Sequence, residues 1–224
     1  MSEHKNLSAG KLLAAAPLAA VAGGANGQIV YTELGPVVGD ISYPGASTLN
    51  LDFDQDSIAD MRIRQNFISG QAKVFVDGDA SNSENGNAED EVFTALGGLN
   101  PLALSAGDLI SDTPGLGQAW TFASNDGQSG TSDIWRSTGS GDFAVDGLER
   151  FFGVRTVLNG NTHYGWVGVV LNSEDGLEMD GFITGYAYNS VPNGFIEAGQ
   201  IPAPGVGAVG LLGGAMLARR RRSA

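Results

Sequence analysis

Aspartate recurs at alternate positions in one short stretch, Leu51-Asp52-Phe53-Asp54-Gln55-Asp56-Ser57-Ile58-Ala59-Asp60. Counted from Asp52, the acids occupy positions 1, 3, 5 and 9, and the carbonyl of Ile58 falls at position 7. That pattern is similar to calcium loops of the D-x-D-x-D-G type, in which hard carboxylate and carbonyl oxygens converge on one cation. On this reading calcium is the one cofactor, with Asp52, Asp54, Asp56, Ile58 and Asp60 as its ligands. The stretch departs from the pattern twice: Ser57 stands at the turn glycine, and Ile63 stands where the bidentate acid belongs. A second reading needs no ion. Leu49, Leu51 and Phe53 alternate with Asn50, Asp52 and Asp54, and Met61 and Ile63 alternate with Arg62 and Arg64. A hairpin over residues 49–65 would bury the first set and expose the acids beside arginines, in pairs that stabilise by about 0–1 kcal/mol each.

Other chemistry is thinner. Cysteine is absent, which excludes disulfides and thiolate metal sites. His163, the only histidine after residue 27, lies at a strand start beside Tyr164 and reads as a hydrogen-bonding sheet residue rather than a base. No nucleophile motif accompanies it, so no catalytic residue and no reaction are assigned. A polysaccharide hydrolase would need two spaced carboxylates, for which Glu149, Glu174 and Glu178 lie nearest strands and aromatics. Trp120, Trp135 and Trp166 offer sugar-stacking surfaces or core filling. Asp126 or Asp133 could add a cation ligand from a second acidic loop.

The elements that would position these groups repeat with period two, punctuated by Gly, Asn, Asp and Ser, and glycine makes up 34 of the 224 residues. Ten strands are expected: 28–33, 48–53, 61–67, 71–76, 119–123, 132–136, 151–158, 162–171, 181–188 and 195–198. Residues 151–171 form a hairpin about Asn159-Gly160-Asn161, residues that accept positive φ. Its second strand carries Tyr164, Trp166 and Val170 on one face and Val167, Val169 and Leu171 on the other, which predicts a central strand. Residues 81–91 read as a flexible acidic excursion and 99–117 as either a short helical turn or an irregular crossover. The sum is an all-β, antiparallel β-sandwich of the jelly-roll or concanavalin-like kind.

Both ends differ from this domain. Lys5 and Lys11 precede an Ala/Leu-rich run, Leu12 to Ala22, and Ala25-Asn26-Gly27 follows, the order of a secretory signal peptide with a helical core over residues 1–27. At the other end Pro202-Ala203-Pro204-Gly205 leads into the apolar run Val206 to Ala218, which stops at Arg219, Arg220, Arg221 and Arg222. Thirteen residues at about 1.5 Å each cover roughly 20 Å, a short membrane helix against a hydrocarbon core of roughly 30 Å. The arginines would hold the C-terminus on the cytoplasmic side. Residues 28–200 remain as one domain. Of 12 basic and 25 acidic residues in the whole chain, net −13, it keeps 6 and 24, net −18, once Glu3, Lys5, Lys11 and the four arginines are set aside. Such charge opposes nucleic acid and favours cations or a hydrated anionic surface.

The tail resembles the sorting signal of PEP-CTERM surface proteins, in a PAPG-like variant with Ala203 at the family's glutamate. His163-Tyr164-Gly165-Trp166-Val167, Ile183 to Tyr188 and Ile196 to Gln200 resemble the closing part of one group of that family. The resemblance implies export, a transient inner-membrane anchor at 201–224, processing by signal peptidase and an exosortase-type peptidase, and a final place at the cell surface or outside the cell. It implies no reaction. The functional expectation is a structural or extracellular-matrix-associated protein that meets exopolysaccharide; the alternatives are a carbohydrate-binding or adhesive module and a polysaccharide hydrolase.

Overall fold

A computed structural model describes residues 20–22, 28–45, 48–68, 70–78, 90–123, 133–138 and 142–202. In chain order they form β1 (Ala20–Ala22), β2 (Ile29–Glu33), a one-turn helix α1 (Gly35–Val38), β3 (Thr48–Leu51), β4 (Met61–Ile68), β5 (Gln71–Gly78) and β6 (Glu91–Ala95). There follow β7 (Leu109–Ile110), β8 (Gln118–Phe122), β9 (Asp133–Arg136), β10 (Arg150–Leu158), β11 (Asn161–Asp175), β12 (Glu178–Asn189) and β13 (Ile196–Glu197). Every strand pairing is antiparallel.

Two main sheets face one core. The larger runs β1-β2-β12-β11-β10-β6-β8 and the smaller β3-β4-β5-β9, with β13 and β7 as a separate ribbon. The expected central strand is central: β11 lies between β10 and β12. Its Val167, Val169 and Leu171 join Leu51, Met61, Ile63, Val74 and Val76 of the smaller sheet in the core between the sheets. On its opposite face Tyr164 and Trp166 pack with Leu104, Ile110 and Ile196 into a second apolar layer. Burial on both faces is why this strand carries apolar side chains without alternation.

All ten expected strands are present, with shifted ends. The β10–β11 connection is tighter than the three-residue turn expected. Leu158 pairs with Asn161, leaving Asn159 (φ 51°) and Gly160 (φ 73°) as a two-residue turn whose twist suits the strands. The hairpin over 49–65 also forms, pairing Leu49 with Ile63 and Leu51 with Met61. Three strands lie outside the expected ten: β1, at the N-terminal end, and two within the domain. Glu91–Ala95 lies at the end of the acidic stretch, and its charged first residue is buried because Arg155 pairs with it. Leu109–Ile110 is only two residues long, within the expected crossover.

Of the expected N-terminal signal helix, Ala20–Ala22 instead form an edge strand against β2, because their backbone groups complete a ladder with Ile29, Val30 and Tyr31. The rest of that run, and Ala203, Pro204, Gly205 and Arg219 to Arg222, lie outside the described residues. Among the described residues no helix is long and apolar enough to cross a membrane; the expected membrane segment 206–218 falls outside them.

Candidate metal centre

The aspartate stretch becomes the connection between β3 and β4. Leu51 and Phe53 are fully buried and fix its start, while Asp60, 4% exposed, and Met61 fix its return. Between them the carboxylates cap the loop's own backbone. Ser57 N–H donates to Asp52 Oδ2 (2.9 Å), Asp56 N–H to Asp54 Oδ1 (3.3 Å), Ile58 N–H to Asp56 Oδ1 (2.7 Å) and Phe53 N–H to Asp60 Oδ2 (2.6 Å). Ser57 adopts φ 74° and Gln55 φ 63°, so the position expected to be glycine does require left-handed backbone.

The loop gathers three of its four aspartates. Asp52, Asp54 and Asp60 each offer a carboxylate oxygen, all within 4.8 Å of one another. Asp56 is not part of that group; its side chain is exposed and turned to the Ile58 amide. Calcium–oxygen distances of about 2.3–2.6 Å allow two ligands of one ion to lie up to about 5 Å apart, so the triad has a spacing that one such ion spans. Asp52 Oδ1 is shielded from solvent and has no hydrogen-bond partner. Burial pushes the Asp60 carboxyl up to about 7, against the pull of the Phe53 N–H, and the charges of Asp54, Asp90 and Asp52 push the same way. Burial also raises Asp54, with Asp56 adding repulsion. Carboxylates that resist ionisation beside one another, with an oxygen left unbonded, are the electrostatic complement of a hard cation.

The arginines of the hairpin look elsewhere. Arg64 Nη1 lies 2.8 Å and Arg62 Nη2 3.8 Å from Asp77 Oδ2 on β5, a fully buried carboxylate. The alternation that sets Arg62 opposite Asp77 in the β4–β5 ladder also directs these charges away from the core. Asp133, the other proposed cation ligand, is buried and paired with Arg136 and with Lys73 (3.9 Å); Asp126 is outside the described residues.

His163 is buried, its Nδ1–H donating to the Asn189 carbonyl (2.8 Å) and its ring edge-on to Tyr188. Trp135 and Trp166 are core residues. Trp120 is half-buried, with the Arg155 guanidinium 5.4 Å from its ring centre and Phe93 and Tyr164 beside it. Glu174 accepts the Trp135 indole N–H (2.8 Å). Glu178 lines an open cavity of about 350 Å³ with Tyr43, Asp175 and Asp180, and Glu149 is not among its lining residues. No protein-family model, no curated protein and no solved structure matches the chain.

Proposed function

We propose that this chain is an exported, non-catalytic surface or matrix-associated structural protein, whose β-sandwich domain holds one calcium ion at Asp52, Asp54 and Asp60. The observation that carries the cation is the triad itself: three carboxylates of a nine-residue loop, each offering a hard oxygen donor and one of them, Asp52, with an oxygen that has no hydrogen-bond partner, in a domain that has no disulfide to staple it. Within sandwich folds we place the domain in the jelly-roll or concanavalin-like class, supported by a chain that crosses between the two sheets at β2–β3, β5–β6, β8–β9 and β9–β10. Export rests on the terminal segments: signal peptidase acts at the first and removes the edge strand β1 with it, leaving β2 at the sheet edge, an exosortase-type peptidase acts at the Pro202–Gly205 motif, and Arg219 to Arg222 hold the transient anchor.

Two measurements test this reading. Millimolar calcium should raise the melting temperature of the protein and a chelator should lower it; identical melting in both refutes the cation site. Mass spectrometry of protein from cells and medium should find a C-terminus near Pro204, and a cytosolic species that retains Met1 overturns export.

A second reading, a carbohydrate-binding module, is favoured by the open cavity beside Tyr43, where one aromatic and several carboxylates face solvent. Exopolysaccharide would be its partner, and retention on a glycan array would select it.

A further inference from the structure

At one border of the larger sheet, the strand that covers β2 is the segment that the export reading removes. Ala20–Ala22 pair with β2 rung by rung, Ala20 with Tyr31, Val21 with Val30 and Ala22 with Ile29. On its other side β2 is fixed along its whole length, from Ile29 opposite Asn189 to Glu33 opposite Gly185 on β12. The strand is thus built into the domain, while its cover precedes the Ala25-Asn26-Gly27 cleavage position. Cleavage leaves a row of backbone N–H and C=O groups without ladder partners, and β2 lacks the devices by which natural edges discourage pairing. Between Gln28 and Val38 the only charge is Glu33, and no proline falls within β2. The chain then stays against β12, through Leu34 N–H to the Thr184 carbonyl (2.9 Å) and Ile183 N–H to the Gly39 carbonyl (2.8 Å). Between those bonds α1 presents Val37, 84% exposed, and Val38, 52% exposed, at the same border.

We propose that, once the N-terminal segment is removed, the β2 edge pairs with β2 of a second copy of this chain, so that processing converts a monomer into a two-fold dimer with one sheet running through both copies. The proposal rests on the export reading above. A second copy is the occupant because the strand is complementary to itself. In an antiparallel pair centred on Tyr31, Val30 meets Thr32 of the second copy and Ile29 meets Glu33, so the two Glu33 carboxylates lie at opposite ends of the ladder rather than face to face. Charge favours the same edge. A domain of net −18 repels its own copies, and within a screening length of about 8–10 Å the approach costs least where the surface carries fewest charges. The strand also keeps its place when its cover is gone. Ile29 and Tyr31 belong to the second apolar layer, with the Tyr31 ring centre 5.8 Å from that of Trp166.

The chain has no cysteine, so cross-linking reads the register directly. Tyr31→Cys puts a thiol on the two-fold axis, opposite its own copy, whereas Val30→Cys puts thiols opposite Thr32 and out of each other's reach. Each variant is compared as the processed chain recovered from the medium and as the whole chain made by cell-free synthesis. A third form, the whole chain with Val21→Pro and Ala22→Pro, keeps both termini and frees the edge: successive residues of a strand direct their N–H groups to opposite sides, so one of the two prolines falls on the ladder. Under mild oxidation Tyr31→Cys should give about tenfold more disulfide-linked dimer in the processed chain and in the proline form than in the whole chain, and Val30→Cys should give none. Sedimentation of the natural processed chain should show a dimer that the whole chain lacks. This measurement needs no substitution, so a monomeric processed chain overturns the pairing even if Tyr31→Cys fails to fold. Equal cross-linking in Val30→Cys and Tyr31→Cys, or in the whole chain and the proline form, overturns it as well. A released chain that still begins at Met1 overturns export and with it processing as the trigger; the proline form then tests the edge alone, and absence of its cross-link overturns the pairing.

Discussion

Two hairpin connections meet at the seam between the sheets, and different physics closes them. The β10–β11 turn has two residues, Asn159 and Gly160, of the types that tolerate φ values of 51° and 73°. It joins strands that pair along nine positions and needs nothing beyond its own stereochemistry. The β3–β4 connection, residues 52–60, imposes similar angles on Gln55 and Ser57, where left-handed backbone costs roughly 1–2 kcal/mol per residue. What offsets that cost is the buried Phe53 ring and the set of aspartates that cap the loop's N–H groups. Those same aspartates then crowd their charges together. One connection is complete as a polypeptide; the other leaves three carboxylates gathered within 4.8 Å of one another.

The largest effect that separates the two should come from Phe53→Ala. A fully buried ring between Tyr186 and Tyr188 is lost, and urea unfolding should show about 3–5 kcal/mol less stability. A cost below about 1 kcal/mol would mean that the ring does not anchor the loop.

Next in size is a pH dependence confined to the loop. Because the folded Asp60 carboxyl lies near 7 and the usual value is 3.8, the folded state binds its proton more tightly than the unfolded chain. In chelator, stability should therefore fall as pH rises from about 4 to 7, by an amount on the order of 2–4 kcal/mol from this group. Asp60→Asn should flatten that slope, and saturating calcium, which favours the ionised form, should do the same to the natural protein. Equal slopes in Asp60→Asn and the natural protein, both in chelator, would show that Asp60 is not the source.

The two smaller predictions mirror each other. Gly160→Ala places a Cβ at φ 73° and should cost about 1–2 kcal/mol, equally with and without calcium. Ser57→Gly relieves a similar angle in the loop and should gain up to about 1 kcal/mol, read as a higher urea midpoint. If both substitutions moved stability in the same direction, the contrast between a turn with fitting residues and a loop with ill-fitting ones would fail.

Much of this was legible in the residues. Alternation is a local property, so the ten strands follow from it, and so does the burial of both faces of β11 from its run of Tyr164 to Leu171. Asn159-Gly160 announces its turn because positive φ is a property of residue type. The aspartate spacing likewise marks residues 52–60 as a loop rich in capping acceptors, and Ser57 sits where the backbone turns left-handed, as a glycine in that pattern would.

Tertiary structure decided the rest, because it depends on what lies across a sheet or a seam. Only the folded chain shows that Asp52, Asp54 and Asp60 converge while Asp56 faces outward, since equal spacing along the chain does not set which carboxylates are turned toward the core. It pairs Arg64 with Asp77 rather than with a loop acid, and it buries Glu91 at the start of a strand that its charge conceals. It also sets Asn159 against Asp54 across 105 residues of sequence. Residue types and spacing set the local angles and faces; contacts between distant segments, whose energies no short window contains, determined which of those faces meet.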